Sequence, residues 1–549
     1  MTSQTKSCQV CKQSFMIEPE DFHFYEQIKV PPPTECPDCR QRRRYAWRNE
    51  KTLYRRKCDL CQKDIVSVYS SNKPFKIYCP TCWWSDKWDA MSFARAYDPD
   101  RPFLDQFREL QLQVPRIALL SKNSVNSDYT NHTSDSKNCY YSFCCFDNEE
   151  VYYSSSALSS KDSVDCSYYL REGAEKSYEC IDGSRTYACQ FGILLENCSE
   201  CAYCFDCKGC SNCFMSSNLR NKQYYFENQP CNKEDYQRKI TELNLGSYAV
   251  RRAQYLKFQV MIEAAVQRFV VSEKSENSTG GVFYNCKNSQ NCFDSFDLED
   301  CRYLYATVQM KNCEDLYHAG YGGSEHCYEC HAITRSYNVK FSHLCYDNSD
   351  LTYCDSCHNS ENLFGCAGIR HGKYAILNQK YSPEEYAKLA DQIIQSLKMT
   401  GEWGEFFPPK FSPFGYNEAR GDFYMPMKKE EALALGFNWE DDVTWTTGKE
   451  TLRTDQVPDD IKDVEDDILK QVLACTKCGR NYSLIRQELE FYRRESIPVP
   501  RECFVCRDNR RASLRQPRKL WDGTCLKCQA SFKTTHDPAK KERVYCEKC

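Results

Sequence analysis

No uninterrupted apolar run of the roughly 18 residues needed to span a membrane occurs in this chain. The start carries Cys8, Cys11, Glu18, Glu20 and Asp21 where an export signal would need apolar residues, which predicts a cytoplasmic protein with no membrane partner. Histidine is scarce, at 9 of 549 residues, and the common catalytic signatures are missing: no GxSxG elbow, GxxxxGK(S/T) loop, GxGxxG fingerprint or HExxH pair is present. GYGGS at 320–324 lacks the lysine and the strand-to-helix setting of a phosphate loop. With a net charge of -4 the chain is no polycation, so any nucleic-acid surface must be local.

What the chain holds in abundance is cysteine, 39 residues in all. Cys8, Cys11, Cys36, Cys39, Cys58, Cys61, Cys79 and Cys82 return at a constant offset of 467, as Cys475, Cys478, Cys503, Cys506, Cys525, Cys528, Cys546 and Cys549. These form four CxxC...CxxC units, and two such thiolate pairs close one tetrahedral zinc site with Zn–S near about 2.3 Å. Four structural zinc ions are expected. A closed thiolate shell has no position for water, so no catalytic residue is assigned to them. Disulfide scaffolds are short and secreted, whereas repeated knuckles suit a reducing cytoplasm.

At about 100 to 200 residues per domain, the length predicts about three to five units. Residues 1–92 and 468–549 read as tandem zinc-ribbon pairs, matched beyond cysteine: EDFHFYEQIKVPPPTECPDCRQRRR stands against QELEFYRRESIPVPRECFVCRDNRR. Between them a Cys/Tyr-rich region is duplicated at an offset of 150, AYCFDCKGCSNCFMSSNLRNKQYYFENQ against TYCDSCHNSENLFGCAGIRHGKYAILNQ. The copies span 124–272 and 280–400, and 401–467 joins the second to the last zinc unit as an aromatic extended segment and an acidic linker with a helix over 457–473. Within the second copy, Cys327, Ser336, Cys345, Cys354 and Leu363 mark a step of nine, which suggests coils of roughly two such blocks; antiparallel hairpin sheets are the alternative. Ser382, Pro383 and Glu385 open a capped helix, Asn232 and Asp235 begin another, and an amphipathic stretch covers 247–271. The expected fold is multidomain and mainly β: small α+β zinc modules, ribbons or treble clefs, flanking two duplicated β-solenoid-like domains with capping helices.

The run Cys198, Cys201, Cys204, Cys207, Cys210, Cys213 invites an iron–sulfur reading. Its counterparts in the second copy are Asn348, Leu351, Cys354, Cys357, Ser360 and Leu363, and replacement by leucine is what a small buried packing residue permits. Further metal in the middle region is thus the lesser reading. Six histidines, His318, His326, His331, His343, His358 and His371, fall in the second copy, and His331 and His358 directly follow cysteine pairs, so a mixed Cys/His site there is an open alternative. Arg42, Arg43, Arg44 and Arg48, with Arg510 and Arg511 at the other end, follow the second knuckles. They are candidates for gripping phosphate, with Tyr45, Trp47 and Tyr54 as stacking platforms; the plainer reading is a solvated charged face paired with acidic linkers of the same chain.

The end modules, with CxxC, a following FY, PxxCxxC and a basic tail, resemble the zinc-ribbon domains of bacterial proteins. Together with the middle region and GEWGEFFPPKFSPFGYNEA, the chain resembles a family of uncharacterised bacterial zinc-binding proteins with zinc-ribbon or treble-clef modules at both ends of a Cys/Tyr-rich repeat region. That resemblance implies metal binding and no particular activity. The expected function is a zinc-binding cytoplasmic adapter or scaffold that contacts RNA, DNA or a nucleoprotein through its Arg-rich ribbons. The alternatives are a metalloenzyme or redox protein using Cys/His groups of the second copy, and a protein-binding scaffold using exposed aromatics of 401–427.

Overall fold

The middle of the chain is built on a three-residue rhythm. In the computed structural model, which describes residues 2–318, 320–443 and 445–549 with backbone alone at 320–323, every third residue from Asn138 to Tyr168 has φ between 46° and 61°. Left-handed backbone is uncommon outside glycine because Cβ crowds the carbonyl. It recurs here because each such residue donates its N–H to a carbonyl one layer back: Asn138 to Val125 O at 2.9 Å, Tyr141 to Asp128 O at 3.1 Å, Cys144 to Asn131 O at 3.1 Å. The preceding residue donates forward, as Lys137 does to Asn148 O at 2.8 Å. Parallel bridges therefore link residues 12 apart, Val125 with Lys137 and Lys137 with Glu149. One layer is four sides of three residues.

The residue after most left-handed positions points inward and is small, as at Cys139, Ser142, Cys145 and Ser154, with Tyr169, Leu195, Leu351 and Leu363 among the larger exceptions. Its N–H is met by a hydroxyl from the layer before, Cys189 N to Ser177 Oγ at 3.3 Å and Cys354 N to Ser342 Oγ at 3.0 Å. Its thiol in turn donates to a carbonyl further along, Cys189 Sγ to Cys198 O at 3.5 Å and Cys354 Sγ to Leu363 O at 3.6 Å. Every main-chain donor must find an acceptor in so narrow an interior, and a compact side chain with one polar atom supplies it. This accounts for the wealth of Cys and Ser.

The step of nine is therefore three sides of a four-sided layer. The 12-residue spacing of Cys301 and Cys313 is the layer itself, seen in the bridge of Arg302 with Glu314. The longer step from Cys313 to Cys327, which pair directly, is a two-residue insertion, and the first copy carries its own at the matched place, where Val164 pairs with Tyr178. The pairing is parallel throughout both stacks until their last short strands, Gln229–Pro230 and Gln379–Lys380, turn back antiparallel.

Helices follow each stack as expected. Asn232 caps Lys233–Glu242, Ser382 and Glu385 form the capping box of Pro383–Met399, and Tyr248–Ala264 covers the amphipathic stretch. The expected helix over 457–473 does not form. Val457, Ile461, Val464 and Ile468 are buried against the third four-cysteine unit and the first stack, and the chain there makes short 3-10 turns at Ile461–Asp463 and Asp466–Lys470. The 401–427 aromatics are not exposed either: Trp403, Phe406, Phe407, Phe411 and Phe414 are buried, with Phe407 stacked on Trp47 at 5.1 Å. No helix among the described residues is long and apolar enough to cross a membrane.

Candidate metal centres and the cleft between the docked ends

Each four-cysteine unit opens with a hairpin whose turn holds the first cysteine pair: Gln4–Ser7 with Ser14–Ile17, Tyr54–Lys57 with Asp64–Ser67, Leu473–Ala474 with Asn481–Tyr482, Trp521–Thr524 with Ser531–Thr534. The residue after the second cysteine, Lys12, Gln62, Gly479 or Gln529, has φ between 61° and 73°, and its N–H donates to the carbonyl of the first cysteine, as Gln62 does to Cys58 O at 2.9 Å. In three units the second pair sits at a helix start, with Cys36, Cys79 and Cys503 as N-caps of Pro37–Tyr45, Pro80–Trp83 and Phe504–Ala512. The N–H groups at these helix starts favour thiolate, but burial outweighs them at Cys79 and Cys503, whose thiols are raised.

All sixteen cysteines fall into four sets, the sulfurs of each within 4.8 Å of one another. Cys11 and Cys36 lie 3.6 Å apart, Cys478 and Cys503 3.7 Å, Cys528 and Cys546 3.5 Å. Tetrahedral zinc with bonds of about 2.3 Å needs sulfurs about 3.7 Å apart, so each set could hold a metal ion. Burial raises the Cys58, Cys475 and Cys525 thiols, but backbone N–H donors outweigh it and bring them to about 7, about 7 and about 6. Cys79 N, for example, donates to Cys58 Sγ at 3.2 Å.

The six arginines singled out for phosphate are placed otherwise. Arg43, Arg44, Arg48 and Arg511 are buried, and Arg42 and Arg510 are half-buried. Arg44 reaches Asp315 at 2.9 Å and Glu329 at 3.6 Å, and Arg43 reaches Glu329 at 2.6 Å. At the other end Arg511 reaches Asp165 at 2.8 Å and Glu179 at 3.3 Å, and Arg510 reaches Glu179 at 2.7 Å. The arginines correspond at offset 467 and the acids at offset 150. Each end thus docks the same face of the same helix onto the same place of one stack, and it does so crosswise: the N-terminal helix lies on the second copy, the C-terminal helix on the first. Tyr25 packs on Tyr328 at 5.3 Å and Tyr492 on Tyr178 at 5.9 Å, which explains the FY shared by the flanks. Tyr45, Trp47 and Tyr54 are all buried, so none of the three is a stacking platform. A buried guanidinium must keep its carboxylate partner, so these groups form an internal clamp.

Sequence reasoning missed Asp165, Glu179, Asp315 and Glu329. Their signal was present: an acidic residue at a left-handed, outward position, repeated at 150. The mixed Cys/His reading also changes. Cys330 and Cys357 face the interior, donating to the Val339 and Cys366 carbonyls, whereas His331 and His358 face outward, His331 beside Arg48 at 3.1 Å and His358 against Trp83 and Trp84. They lie on opposite sides of one wall. The Cys198–Cys213 run is likewise inward, with Cys198 Sγ bonded to Cys207 O at 3.3 Å and Cys201 Sγ to Cys210 O at 3.6 Å.

Where the two docked ends meet, a cleft of about 830 Å³ opens. Tyr45, Tyr168, Tyr305, Phe423, Tyr424 and Trp445 line it. Tyr45 stacks on Tyr424 at 5.0 Å, and Arg518 lies 4.2 Å over the same ring. Most cations on its wall are paired, Arg515 with Asp182 and Lys51 with Asp508. Arg480, Lys519 and Lys540 have no carboxylate partner among the described residues; Arg480 lies 4.1 Å over Trp445 and Lys519 5.2 Å over Trp521.

No protein-family model matches this chain, and no curated protein does. Among solved structures, the one described as "putative acetyltransferase from Desulfovibrio desulfuricans G20" aligns at 8% identity over 51% of this chain and 81% of that one. Its TM-score is 0.10, so the likeness carries no argument about fold or activity.

Proposed function

We propose that this protein is a zinc-stapled scaffold, two β-solenoids clamped crosswise by paired zinc modules, whose cleft binds single-stranded nucleic acid. The observation that supports this reading is the cleft itself, where the half-buried rings of Phe423, Tyr424 and Trp445 stand beside cations without carboxylate partners. Base-on-aromatic stacking with backbone cations is the chemistry by which single strands are held, at about 1–3 kcal/mol per stacked base. Zinc acts structurally, because four thiolates close each site.

The test is fluorescence anisotropy with labelled single-stranded RNA and DNA oligonucleotides at several salt concentrations. Binding is expected to weaken as salt rises and to fall at least tenfold in the triple variant Arg480→Glu, Lys519→Glu, Lys540→Glu. No binding by the native protein, or equal binding by the variant, overturns the reading.

A further inference from the structure

One cysteine of the middle region does not belong to the ladder. Cys144 is the only cysteine among the described residues in the left-handed, outward position; the stack needs no cysteine there. It is nevertheless buried, at 2% exposure, and receives Arg48 Nη2 on its sulfur at 2.9 Å. Beside it stand His318, also left-handed, and Glu50, whose Oε1 lies 3.8 Å from His318 Nε2. The three donor atoms of Glu50, Cys144 and His318 lie within 4.8 Å of one another.

The internal repeats supply a control. At offsets of 467 and 150 the counterparts of Arg48, Cys144 and His318 are Arg515, Asp294 and Tyr168, and that of Glu50 is Pro517. There Arg515 and Arg518 pair with Asp294. The matched junction is thus a plain ion pair, and the architecture is satisfied without a sulfur, an imidazole or a carboxylate in this arrangement. Only one junction has acquired all three.

We propose that Glu50, Cys144 and His318 hold a fifth metal ion, a borderline divalent cation such as zinc, in a site unlike the four closed ones. One carboxylate, one thiolate and one imidazole are three donors of the set that zinc takes in open sites, leaving a fourth position free. Glu50 is the one ligand of the three that lies on the wall of the cleft. Its Oε2 is buried and accepts no hydrogen bond, although Arg420 Nε lies 3.2 Å away. Arg48 fixes the ligands from behind, donating to Glu50 and Cys144 and contacting His331 Nε2 at 3.1 Å. Binding releases the Cys144 proton to solvent, and thiolate and carboxylate then balance the two guanidiniums. The charge of the ion is left for an anionic ligand or hydroxide at the open position.

The test is a metal count by mass spectrometry on intact full-length protein saturated with zinc and freed of excess, which does not depend on what the cleft binds. The native protein is expected to hold five ions. Cys144→Ala, His318→Tyr and Glu50→Gln are each expected to hold four, with circular dichroism and melting temperature reporting that the fold is retained. Titration of zinc into protein preloaded with four ions reads the same site by heat release, absent in the variants. Four ions in the native protein, or five in folded variants, overturns the proposal.

Discussion

Arg44 donates to Asp315 at 2.9 Å with both side chains fully buried, and at matched positions Arg511 lies 2.8 Å from Asp165 in the same surroundings. One contact, used twice, holds both ends of the chain to its middle.

Removing one partner strands the other charge without water. Arg44→Ala is expected to cost about 3–5 kcal/mol of unfolding free energy in urea, and Asp315→Ala a similar amount, with the double variant losing less than the sum. Arg511→Ala is expected to do the same at the other end. A loss below about 1 kcal/mol would show that the docking is not what holds the ends.

Glu179 and Glu329 occupy matched places yet titrate in opposite senses. Burial raises both carboxyls; Arg510 and Arg511 outweigh it at Glu179, which is held below the usual range, whereas Glu329 is pushed up to about 7 against the pull of Arg43 and Arg44. A depressed carboxyl contributes stability above its unfolded value of about 4.3 that is lost as pH falls through the folded value. A raised one contributes stability in acid that is lost as pH rises through about 7. Glu179→Gln is therefore expected to lower the melting temperature at neutral pH, with the deficit shrinking only as pH falls below about 4. Glu329→Gln is expected to match the native protein in acid and to exceed it above neutrality. Melting curves over that range decide, and parallel profiles for the two variants would contradict the assignment.

Metal removal should undo the ends before the middle. Chelation is expected to release four zinc ions from the four-cysteine sets and to open residues on either side of the stacks to protease while the layers keep their parallel strands. Cys478→Ser is expected to lose one ion and to loosen the C-terminal unit. Release with no change in protease pattern would mean that the ions do not staple the fold.

The interior cysteines should behave as packing. Cys204→Ser keeps a small side chain with a donor, so it is expected to leave the metal count unchanged and to cost less than about 2 kcal/mol. Loss of a bound ion in that variant would restore the cluster reading of the Cys198–Cys213 run.

Much of the candidate site was legible from spacing. The cysteine pairs that cluster around Cys8, Cys58, Cys475 and Cys525 are local: a knuckle needs its two thiols close together in the chain and a second pair a short loop further on, and both are visible in the sequence. The layer length was visible too, in the step from Cys301 to Cys313, but the step of nine obscured it because both are multiples of three and the inward column recurs at every third residue. Arg43 and Arg44 were misread as phosphate contacts for a different reason. Asp315 lies 271 residues from Arg44, and nothing within the basic run itself reveals a partner that distant.

The sequence by itself determined the four thiolate sets, the two duplications and the periodic placing of small inward residues, because each depends on neighbours in the chain or on a constant offset. Only the tertiary structure decided which end docks on which copy, that the basic helices face inward, and that Glu50, Cys144 and His318 meet. Those outcomes rest on desolvated charges finding partners across hundreds of residues, a choice made by packing the finished units against one another.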